Sequence, residues 1–552
     1  MVLAAWAVSA RAQSHLEDAA KVLFDQEQWE QLAHLGESAP ERSAELDYRY
    51  GMALAHLERW NDSSAALLRG SRLAPGDKRF PLELAGIAFK QKKNTRAIAY
   101  LRRALRLDPK DQYAIDFLAT LYFLQGNLEA ALKYWNRLEE PKPQIGQVRS
   151  EPIPRVRADL LDHAFAFAPA STLKPGELLA SEARVDALGI FPVHRFDLAA
   201  QPGGEFDVVF RGSENNGWGA NKVAGLLRTF HGLPFQEITP EYFNLKGSAI
   251  NLVSLIRWDS DKRRLTTTVS GPIHRDPRWH FRLGMDLRNE NWDVVSSFTG
   301  PASPLAALNL RREAVSAEIG RLVSGRWKWS LGAELSRRDE RNVFPGNVLT
   351  PELLAEGYQL KQTAEVEHDL WRWPDHRFTL SSGASSEIGR VWSQPAEFFE
   401  KLQASLEAHW LPLGRGEDLE TRWRLRDGKT FGNIPFDELF MLGLERDNDL
   451  WMRAHIGTRD GRKGSAPLGT SYFLSNWETD KNVYSNGFFL LKVGPFFDTG
   501  KISDPSSLLG SQTWLYDSGG QVKLRVLGVS AIFSYGKDLR TGNNAFYATV
   551  GR

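Results

Sequence analysis

Alternating apolar and polar residues dominate the chain from about Ser248 to its end. In the segment WHFRLGMDLR, every second residue from Trp279 onward is apolar, and the residues between them are mostly charged. The segments RWKWSLGAELS, LQASLEAHW, LETRWRLR and QVKLRV repeat this pattern. A two-residue period puts alternate side chains on opposite faces of a strand. The sequence therefore predicts a β-sheet with one apolar face and one polar face.

The composition of the two faces favours a membrane-spanning barrel, although a soluble β-sandwich also alternates. The polar face is rich in Arg, Glu and Asp, and Trp recurs near the strand ends. Both features are typical of a barrel with lipid outside, a wet lumen inside and aromatic belts at the interfaces. At about 19 residues per strand, residues 248–552 would supply about 16 strands. We expect a transmembrane antiparallel β-barrel of about 14 to 16 strands, an even number.

The first third of the chain contains a repeat with a period of 34 residues. Small residues recur at two positions of the repeat and a proline at a third, which is the tetratricopeptide (TPR) pattern. The small residues let paired helices approach closely, and the proline ends the second helix. A further helical pair with Leu23, Phe24 and Trp29 should precede the array. We therefore predict an all-α TPR solenoid over residues 13–143. Its signature positions are Gly51, Ala85 and Ala119, then Ser63, Ala97 and Ala131, and finally Pro75, Pro109 and Pro143.

Helical repeats usually bind a peptide or a protein along a concave face, and the alternative is a structural spacer. After the array, residues 144–162 are rich in proline and lack periodicity, which predicts a linker. At the other end, residues 1–12 resemble the end of a secretory signal peptide, because Ala10-Arg11-Ala12 has the form of a cleavage site. A helical N-terminus is the alternative for this segment.

A small α/β module is expected over residues 163–214. The segment HAFAFA alternates like a strand, LKPGELLASEARVDALG should be a helix that ends at Gly189, and VHRFDLAA and EFDVVFRGSE should form a hairpin. The order resembles a POTRA domain, a periplasmic module with two helices, of which the sequence places one. POTRA domains are thought to bind clients by adding a strand to a sheet edge. Residues 215–247 should form a connector in which Gly217-Trp218-Gly219 is a turn.

A set of motifs near the C-terminus resembles the BamA-like bacterial surface antigen superfamily, whose members are outer-membrane assembly and secretion barrels. The family's Phe-x-Leu-Gly lead-in falls on Phe440, Leu442 and Gly443, and its Phe-x-Asp-x-Gly strand motif falls on Phe496, Asp498 and Gly500. The order of the motifs and their distance from the C-terminus make the set fairly specific.

The resemblance also implies a loop that folds into the barrel, with its motif at Met452-Arg453-Ala454-His455. Ala454 and His455 replace the usual glycine and aromatic residue. The resemblance implies that Arg453 pairs with Asp498, and strand parity independently puts Asp498 on the lumenal face. We therefore predict that the two residues form a charge-assisted pair that pins the loop. The alternative is two unrelated charges among many in the lumen.

Composition excludes several other classes of function. With 69 basic and 68 acidic residues the net charge is +1, which gives no bulk electrostatic case for nucleic-acid binding. The chain has no Cys, so Cys-ligated metal sites are excluded, and neither a catalytic motif nor a His spacing for a metal is found. We expect no enzymatic activity, no metal and no cofactor.

The leading hypothesis is a non-catalytic outer-membrane assembly, insertion or translocation factor. Its periplasmic domains would capture a client polypeptide, its barrel would contact outer-membrane lipid, and its TPR domain could bind periplasmic assembly partners. The seam between the first strand, about Ile250 to Trp258, and the last, Ala545 to Gly551, would open for the client. One alternative is a passive pore whose repeats dock a periplasmic partner. Another is a soluble secreted binding protein.

Overall fold

The chain divides into two compact units, Met1–Pro143 and Gln144–Arg552. The computed structural model describes residues 15–39, 42–295, 304–393, 396–486, 489–505, 508–511, 513–526 and 529–551. The segment interpreted as a signal peptide, residues 1–12, lies outside the described residues.

The first unit is built from antiparallel helix pairs, as the repeat pattern predicts, and the expected extra pair precedes the repeats. The residues at the small positions pack where helices meet. A β-carbon at Gly51 would lie 2.7 Å from the side chain of Leu67, and Ser63 Oγ donates a 2.6 Å hydrogen bond to the Gly51 carbonyl. Ala85, Ala97, Ala119 and Ala131 are fully buried. The helices are α1 (described over residues 15–25), α2 (Trp29–Ser38), α3 (Ala44–His56), α4 (Trp60–Leu73), α5 (Arg79–Lys90), α6 (Asn94–Leu107), α7 (Gln112–Leu124) and α8 (Leu128–Trp135).

The prolines of the repeat do not all have the predicted role. Pro75 and Pro109 follow the last residues of α4 and α6 closely, where they prevent the helix from continuing. Pro143 does not end α8, because that helix already stops at Trp135. The Asn136 side chain then donates a hydrogen bond to the Lys142 carbonyl at 2.8 Å, which folds the intervening turn back on itself.

The second unit begins with a small α/β module that is larger than predicted. Its elements are β1 (Ile145–Ser150), α9 (Ala158–Ala164), α10 (Pro175–Ala187), β2 (Val193–Ala200) and β3 (Phe206–Ser213), and the strand order is β1–β3–β2. The prediction of a linker over residues 144–162 is therefore wrong. Strand β1 is held by parallel pairing with β3, about 60 positions along the chain, and a short-range pattern cannot reveal such a contact.

The HAFAFA segment is also not a strand, since its first two residues belong to α9. Its alternating aromatic residues instead enter the core of the module. Phe165 packs against Phe196 at 5.4 Å and against Phe210 at 5.5 Å between ring centroids, and Phe167 packs against Phe196 at 5.6 Å. The module therefore has two helices, α9 and α10, and an aromatic core against the sheet.

The connector contains more structure than a simple turn. It holds helix α11 (Lys222–Phe230) and two short strands, β4 (Glu237–Ile238) and β5 (Glu241–Tyr242). Gly217 forms an isolated β-bridge with Phe243 and has a positive φ of 64°. The chain thus turns at Gly217, enters α11, and returns as β4 and β5.

The rest of the unit is a closed β-barrel. Among the described residues, fourteen strands of at least eight residues form the wall, and each pairs antiparallel with the next. They are β6 (Asn251–Trp258), β7 (Lys262–Ile273), β8 (Asp276–Val295), β9 (Pro304–Ser324), β10 (Trp327–Phe344), β11 (Gly357–Trp373), β12 (Phe378–Val391), β13 (Glu397–Trp410), β14 (Leu419–Gly432), then, after β15 (Phe440–Met441), β16 (Thr458–Arg459), β17 (Arg462–Lys463) and β18 (Leu468–Gly469) in one long loop, β19 (Ser471–Ser485), β20 (Phe489–Ser503), β21 (Leu515–Val526), β22 (Val529–Asp538) and β23 (Asn544–Gly551).

The first and last long strands are not direct neighbours in the sheet order. Strands β4 and β5 stand between β23 and β6 and pair antiparallel with β6. The seam predicted from the sequence lies between the first and the last strand, without β4 and β5. The short strands that precede β6 in the chain supply its second neighbour.

The two faces of the wall differ as the alternation predicts. Outward residues such as Leu283 and Leu331 are apolar and about half exposed, whereas lumenal residues such as Arg312 and Glu290 are charged and buried in ion pairs. Apolar residues outside and charges inside are the arrangement of a membrane barrel. No helix among the described residues is long and apolar enough to cross a membrane.

The small module packs against the end of the barrel that carries the short turns, here called the turn end; the opposite end is the loop end. Asn251, the first residue of β6, donates a 2.9 Å hydrogen bond to the Leu188 carbonyl. Arg275, in the turn between β7 and β8, forms a 2.8 Å ion pair with Asp159 of α9. A β-carbon at Gly325 would lie 2.4 Å from the backbone of Leu179, so the turn between β9 and β10 also approaches the module closely.

Candidate functional site: the loop folded into the barrel

The long loop between β14 and β19, residues 433–470, enters the barrel lumen from the loop end. Within it, β15 pairs with β18, and β16 pairs with β17. Lys463 of β17 also pairs with Trp292 of the barrel strand β8. These contacts attach the base of the loop to itself and to the wall, and they direct its tip, Met452 to His455, toward the last strands of the barrel.

Arg453 at the tip is buried and satisfied by the wall. Its Nη2 lies 2.6 Å from Asp498 Oδ1, and its Nε and backbone N–H donate to Asp498 Oδ2 at 2.9 and 3.1 Å. Its Nη1 donates to Glu478 and Gln521, each at 2.9 Å. The guanidinium also lies 3.9 Å from the ring centroid of Phe496, within cation–π range. The structure thus brings together the two residues that the family resemblance pairs, with Asp498 on the lumenal face that strand parity predicts.

Asp498 reaches this position because of its place in β20. Phe496, Asp498 and Gly500 alternate with Phe497, which is exposed on the outer face, so all three face the lumen. Asp498 is fully buried and also accepts a 2.7 Å hydrogen bond from Asn476 on the neighbouring strand β19. A buried carboxylate requires such partners, because an unpaired charge in a low-dielectric site is costly.

The next two residues of the tip, Ala454 and His455, stand where the family motif usually has a glycine and an aromatic residue. The Ala454 N–H donates to Asp517 Oδ2 at 2.6 Å, and His455 Nδ1 lies 3.1 Å from the same oxygen. His455 Nε2 lies 4.0 Å from Asp538 on the next strand. The histidine therefore occupies a polar site between Asp517 and Asp538, where an aromatic hydrocarbon ring would lack the ring nitrogen that meets Asp517.

The remaining motif residues hold the loop through apolar packing. Phe440 and Leu442 belong to a buried cluster with Met452. A β-carbon at Gly443 would lie 2.4 Å from Ala466 Cβ, and one at Gly500 would lie 3.2 Å from Met452 Sδ. The two glycines therefore allow close approach, while the two larger residues fill the space beside the tip.

Sequence reasoning missed a second set of ion pairs, formed by acidic residues of the loop with basic residues of the wall. Asp437 Oδ2 lies 2.9 Å from Arg312, and Asp437 Oδ1 lies 3.0 Å from Arg338. Glu438 lies 3.0 Å from Arg312 and 3.4 Å from Lys361. All five side chains are largely buried. Strand parity could have put the three basic residues in the lumen, but no local pattern indicates which loop residues meet them.

A third cluster centres on Asp447. Its carboxylate lies 3.0 Å from Arg257 of β6, 2.5 Å from Arg264 of β7 and 3.2 Å from Lys463 of the loop itself. Lys463 also contacts Glu290 of β8 at 2.8 Å. The acidic residues of this one loop therefore form ion pairs with the first strands of the barrel, and its basic tip forms ion pairs with the last strands. Among the residues that the structure describes, no group of metal-ligating side chains accompanies these clusters.

Two tetratricopeptide repeat family models match residues 48–112 and 88–149. A search of curated protein sequences finds no match. The barrel unit is similar to solved structures titled CdiB from Escherichia coli and BamA from Haemophilus ducreyi lacking POTRA domains 1-3. The identities are 12% and 11%, and the TM-scores are 0.48 and 0.43.

The alignment with CdiB covers 74% of this chain and 76% of that chain, and the alignment with BamA covers 75% and 86%. The helical unit is similar to YrrB, described as a TPR protein with an unusual peptide-binding site, at 19% identity and a TM-score of 0.22, over 23% of this chain and 68% of that chain. The family models confirm TPR repeats over residues 48–149. The barrel is established by its own strand order.

Proposed function

We propose that this protein is a non-catalytic outer-membrane factor that inserts or exports polypeptides, with its TPR repeats and its POTRA-like module in the periplasm. The observation that carries the proposal is the position of the loop across the seam. Through Asp447 it contacts β6 and β7, and through Arg453 and His455 it contacts β20, β21 and β22. The loop thereby connects the strands on both sides of the closure.

Such a connection is useful in a barrel whose wall opens sideways. It can hold the two edges of the closure together where only a few backbone hydrogen bonds join them. Strands β4 and β5 contribute only two residues each at this point. A barrel that serves only as a passive pore has no need of a brace across its closure, and a loop inside the lumen narrows the path for solutes. The loop therefore supports lateral opening over a simple pore.

Two surfaces are suited to holding the client before it reaches the barrel. Within the described residues, β2 of the small module pairs with β3 on one side only, so its other edge presents free backbone groups to which an extended peptide can add. In the helical unit, Tyr113 is 65% exposed beside Phe117, and exposed aromatic side chains are frequent contacts for a peptide on repeat proteins.

The proposal is tested by depletion of the protein followed by outer-membrane proteomics. We expect a set of other outer-membrane or secreted proteins to fall in abundance, and wild-type protein to restore them. An unchanged proteome together with solute-selective conductance of the purified protein would favour the passive pore. Extraction in plain buffer with identical gel mobility before and after boiling would favour the soluble binding protein.

The contribution of the repeats is tested by deleting residues 13–143. Since the helical unit has its own core and the chain divides at Pro143, we expect the barrel to fold and to keep its heat-dependent gel mobility while restoration of client abundance is impaired. If the deletion variant restored client abundance as well as the wild-type protein does, the repeats would be a structural spacer. Loss of barrel folding would show that the two units are not independent.

A further inference from the structure

Helix α11 carries an apolar face that no part of the described chain covers. Val223, Leu226, Leu227 and Phe230 have the spacing i, i+3, i+4, i+7 and lie on one side of the helix. They are 59%, 60%, 42% and 44% exposed. A nine-residue helix with four large apolar side chains in water would be unfavourable, because most of its apolar area would stay hydrated.

The opposite side of α11 makes the contacts with the rest of the unit. Ala224 and Gly225 are buried there, and a β-carbon at Gly225 would lie 2.5 Å from the Trp218 carbonyl oxygen. Arg228 lies 3.6 Å from Glu241, and its guanidinium lies over the ring of Phe243. Because the packed side is opposite the apolar face, that face points away from the protein.

The helix is attached to the closure of the barrel. Thr239, between β4 and β5, donates its N–H to the Thr229 carbonyl at 2.9 Å and its hydroxyl to the Arg228 carbonyl at 2.6 Å. Both carbonyls belong to α11. Strands β4 and β5 stand between β23 and β6, so α11 is bonded to the part of the wall where the barrel closes.

The outer surface beside α11 is lipid-facing. Tyr242 of β5 is paired with Leu252 of β6, which is 40% exposed on the outer face, and paired residues share a face. Trp218, which packs against the N-terminal half of α11, lies edge-on to Tyr242 at 5.8 Å between ring centroids. An aromatic pair therefore connects the base of α11 with the lipid-facing side of the first strands.

We infer that α11 lies in the membrane, with its apolar face in contact with lipid acyl chains beside the barrel closure. Its apolar surface continues the lipid-facing surface of β6 through Trp218 and Tyr242. Lys222 at the start of the helix is exposed and can reach the lipid headgroups. The helix thus serves as a lipid-immersed anchor for β4 and β5. If these strands were displaced, the helix would have to move within the bilayer with them. This inference requires a membrane-spanning barrel but not the transport of any client.

The test uses the absence of Cys from the chain, which makes single-cysteine labelling possible without other changes. Leu226→Cys is spin-labelled in the full-length protein reconstituted in vesicles of phosphatidylethanolamine and phosphatidylglycerol. Oxygen concentrates in lipid and a neutral nickel chelate in water, so the two relaxing agents report the surroundings of the label. Leu331→Cys on the outer face of β10 is the lipid reference, and Leu73→Cys in α4 is the water reference; their exposures of 52% and 58% match that of Leu226.

We expect the label at Leu226 to be relaxed by oxygen as strongly as that at Leu331, and by the nickel chelate several-fold less than that at Leu73. Val223→Cys on the same face should give the same result, so the test does not depend on one variant. Strong relaxation by nickel would overturn the inference, because the face would be in water. Weak relaxation by both agents would also overturn it and would indicate a protein partner over the face. Neither result depends on whether the protein transports a client.

Discussion

The carbonyl oxygen of Arg453 lies 2.3 Å from the point where a β-carbon would stand at Gly536. The carbonyl carbon is 2.7 Å and the Ala454 nitrogen 3.1 Å from the same point. These are backbone atoms, so a side chain at this position of β22 cannot be accommodated by a rotamer change. The approach of the loop tip to the wall therefore depends on a glycine as well as on charges.

Gly536→Ala should displace the loop tip while leaving the barrel folded. Since the Arg453 hydrogen bonds require this approach, we expect faster proteolysis of the loop and a higher conductance of the reconstituted protein. Gly520→Ala, on the adjacent strand β21, is the matched control, because its nearest neighbour would be 3.9 Å away. Equal behaviour of the two variants would contradict the tight packing described here.

Arg453→Ala and Asp498→Ala should each destabilise the barrel by about 3–5 kcal/mol if the site is dry, because each leaves the other charge poorly compensated. The double variant should be little worse than either single variant, since directly coupled residues are not additive. Unfolding in urea, followed by heat-dependent gel mobility, measures all three. Strictly additive losses would remove the proposed loop lock and leave the fold unaffected.

Asp447→Asn should destabilise the loop far more than Asp449→Asn, two positions along. Asp447 neutralises three basic side chains in a buried site, whereas the Asp449 side chain is 85% exposed and pairs with one arginine. We expect about 3–5 kcal/mol for the first variant and below about 1 kcal/mol for the second. Urea unfolding at low and high salt is the measurement, and only the effect of Asp449→Asn should fade as salt rises.

In the helical unit, two glycine-to-alanine changes should have opposite signs. At Gly70 a β-carbon would lie 2.4 Å from the buried ring of Phe80, so Gly70→Ala should cost about 1–3 kcal/mol through overpacking. At Gly86 nothing lies within 4 Å, so Gly86→Ala should stabilise α5 by about 0.5–1 kcal/mol. Thermal unfolding of the helical unit, followed by circular dichroism, compares them. The same sign for both would contradict the described helix packing.

The sequence predicted those features that depend on short repeats. The period of two was enough to put Asp498 in the lumen, and the period of 34 was enough to find the positions of Gly51, Ala85 and Ala119. Both signals are local, because a residue's face in a strand or helix follows from its neighbours in the chain.

Features that depend on distant contacts were not predictable in this way. Strand β1 follows Pro143 and lies in a stretch that reads as a linker, and it becomes a strand because β3 offers an edge to pair with. Asp437 and Asp447 lie in a loop without periodicity, so only the three-dimensional arrangement shows that they meet Arg312 and Arg264. The histidine at position 455 departs from the family motif, and its reason became visible only with Asp517 beside it.

The short strands β4 and β5 give the barrel an edge that the chain itself already occupies. A foreign strand that added to β6 would have to compete with four residues of pairing, Glu237, Ile238, Glu241 and Tyr242, for the same backbone groups. A longer strand could use the full eight residues of β6 and would win that exchange one hydrogen bond at a time, as a strand-displacement reaction. The edge would then never be bare, because each bond given up by the resident segment would pass at once to the incoming one.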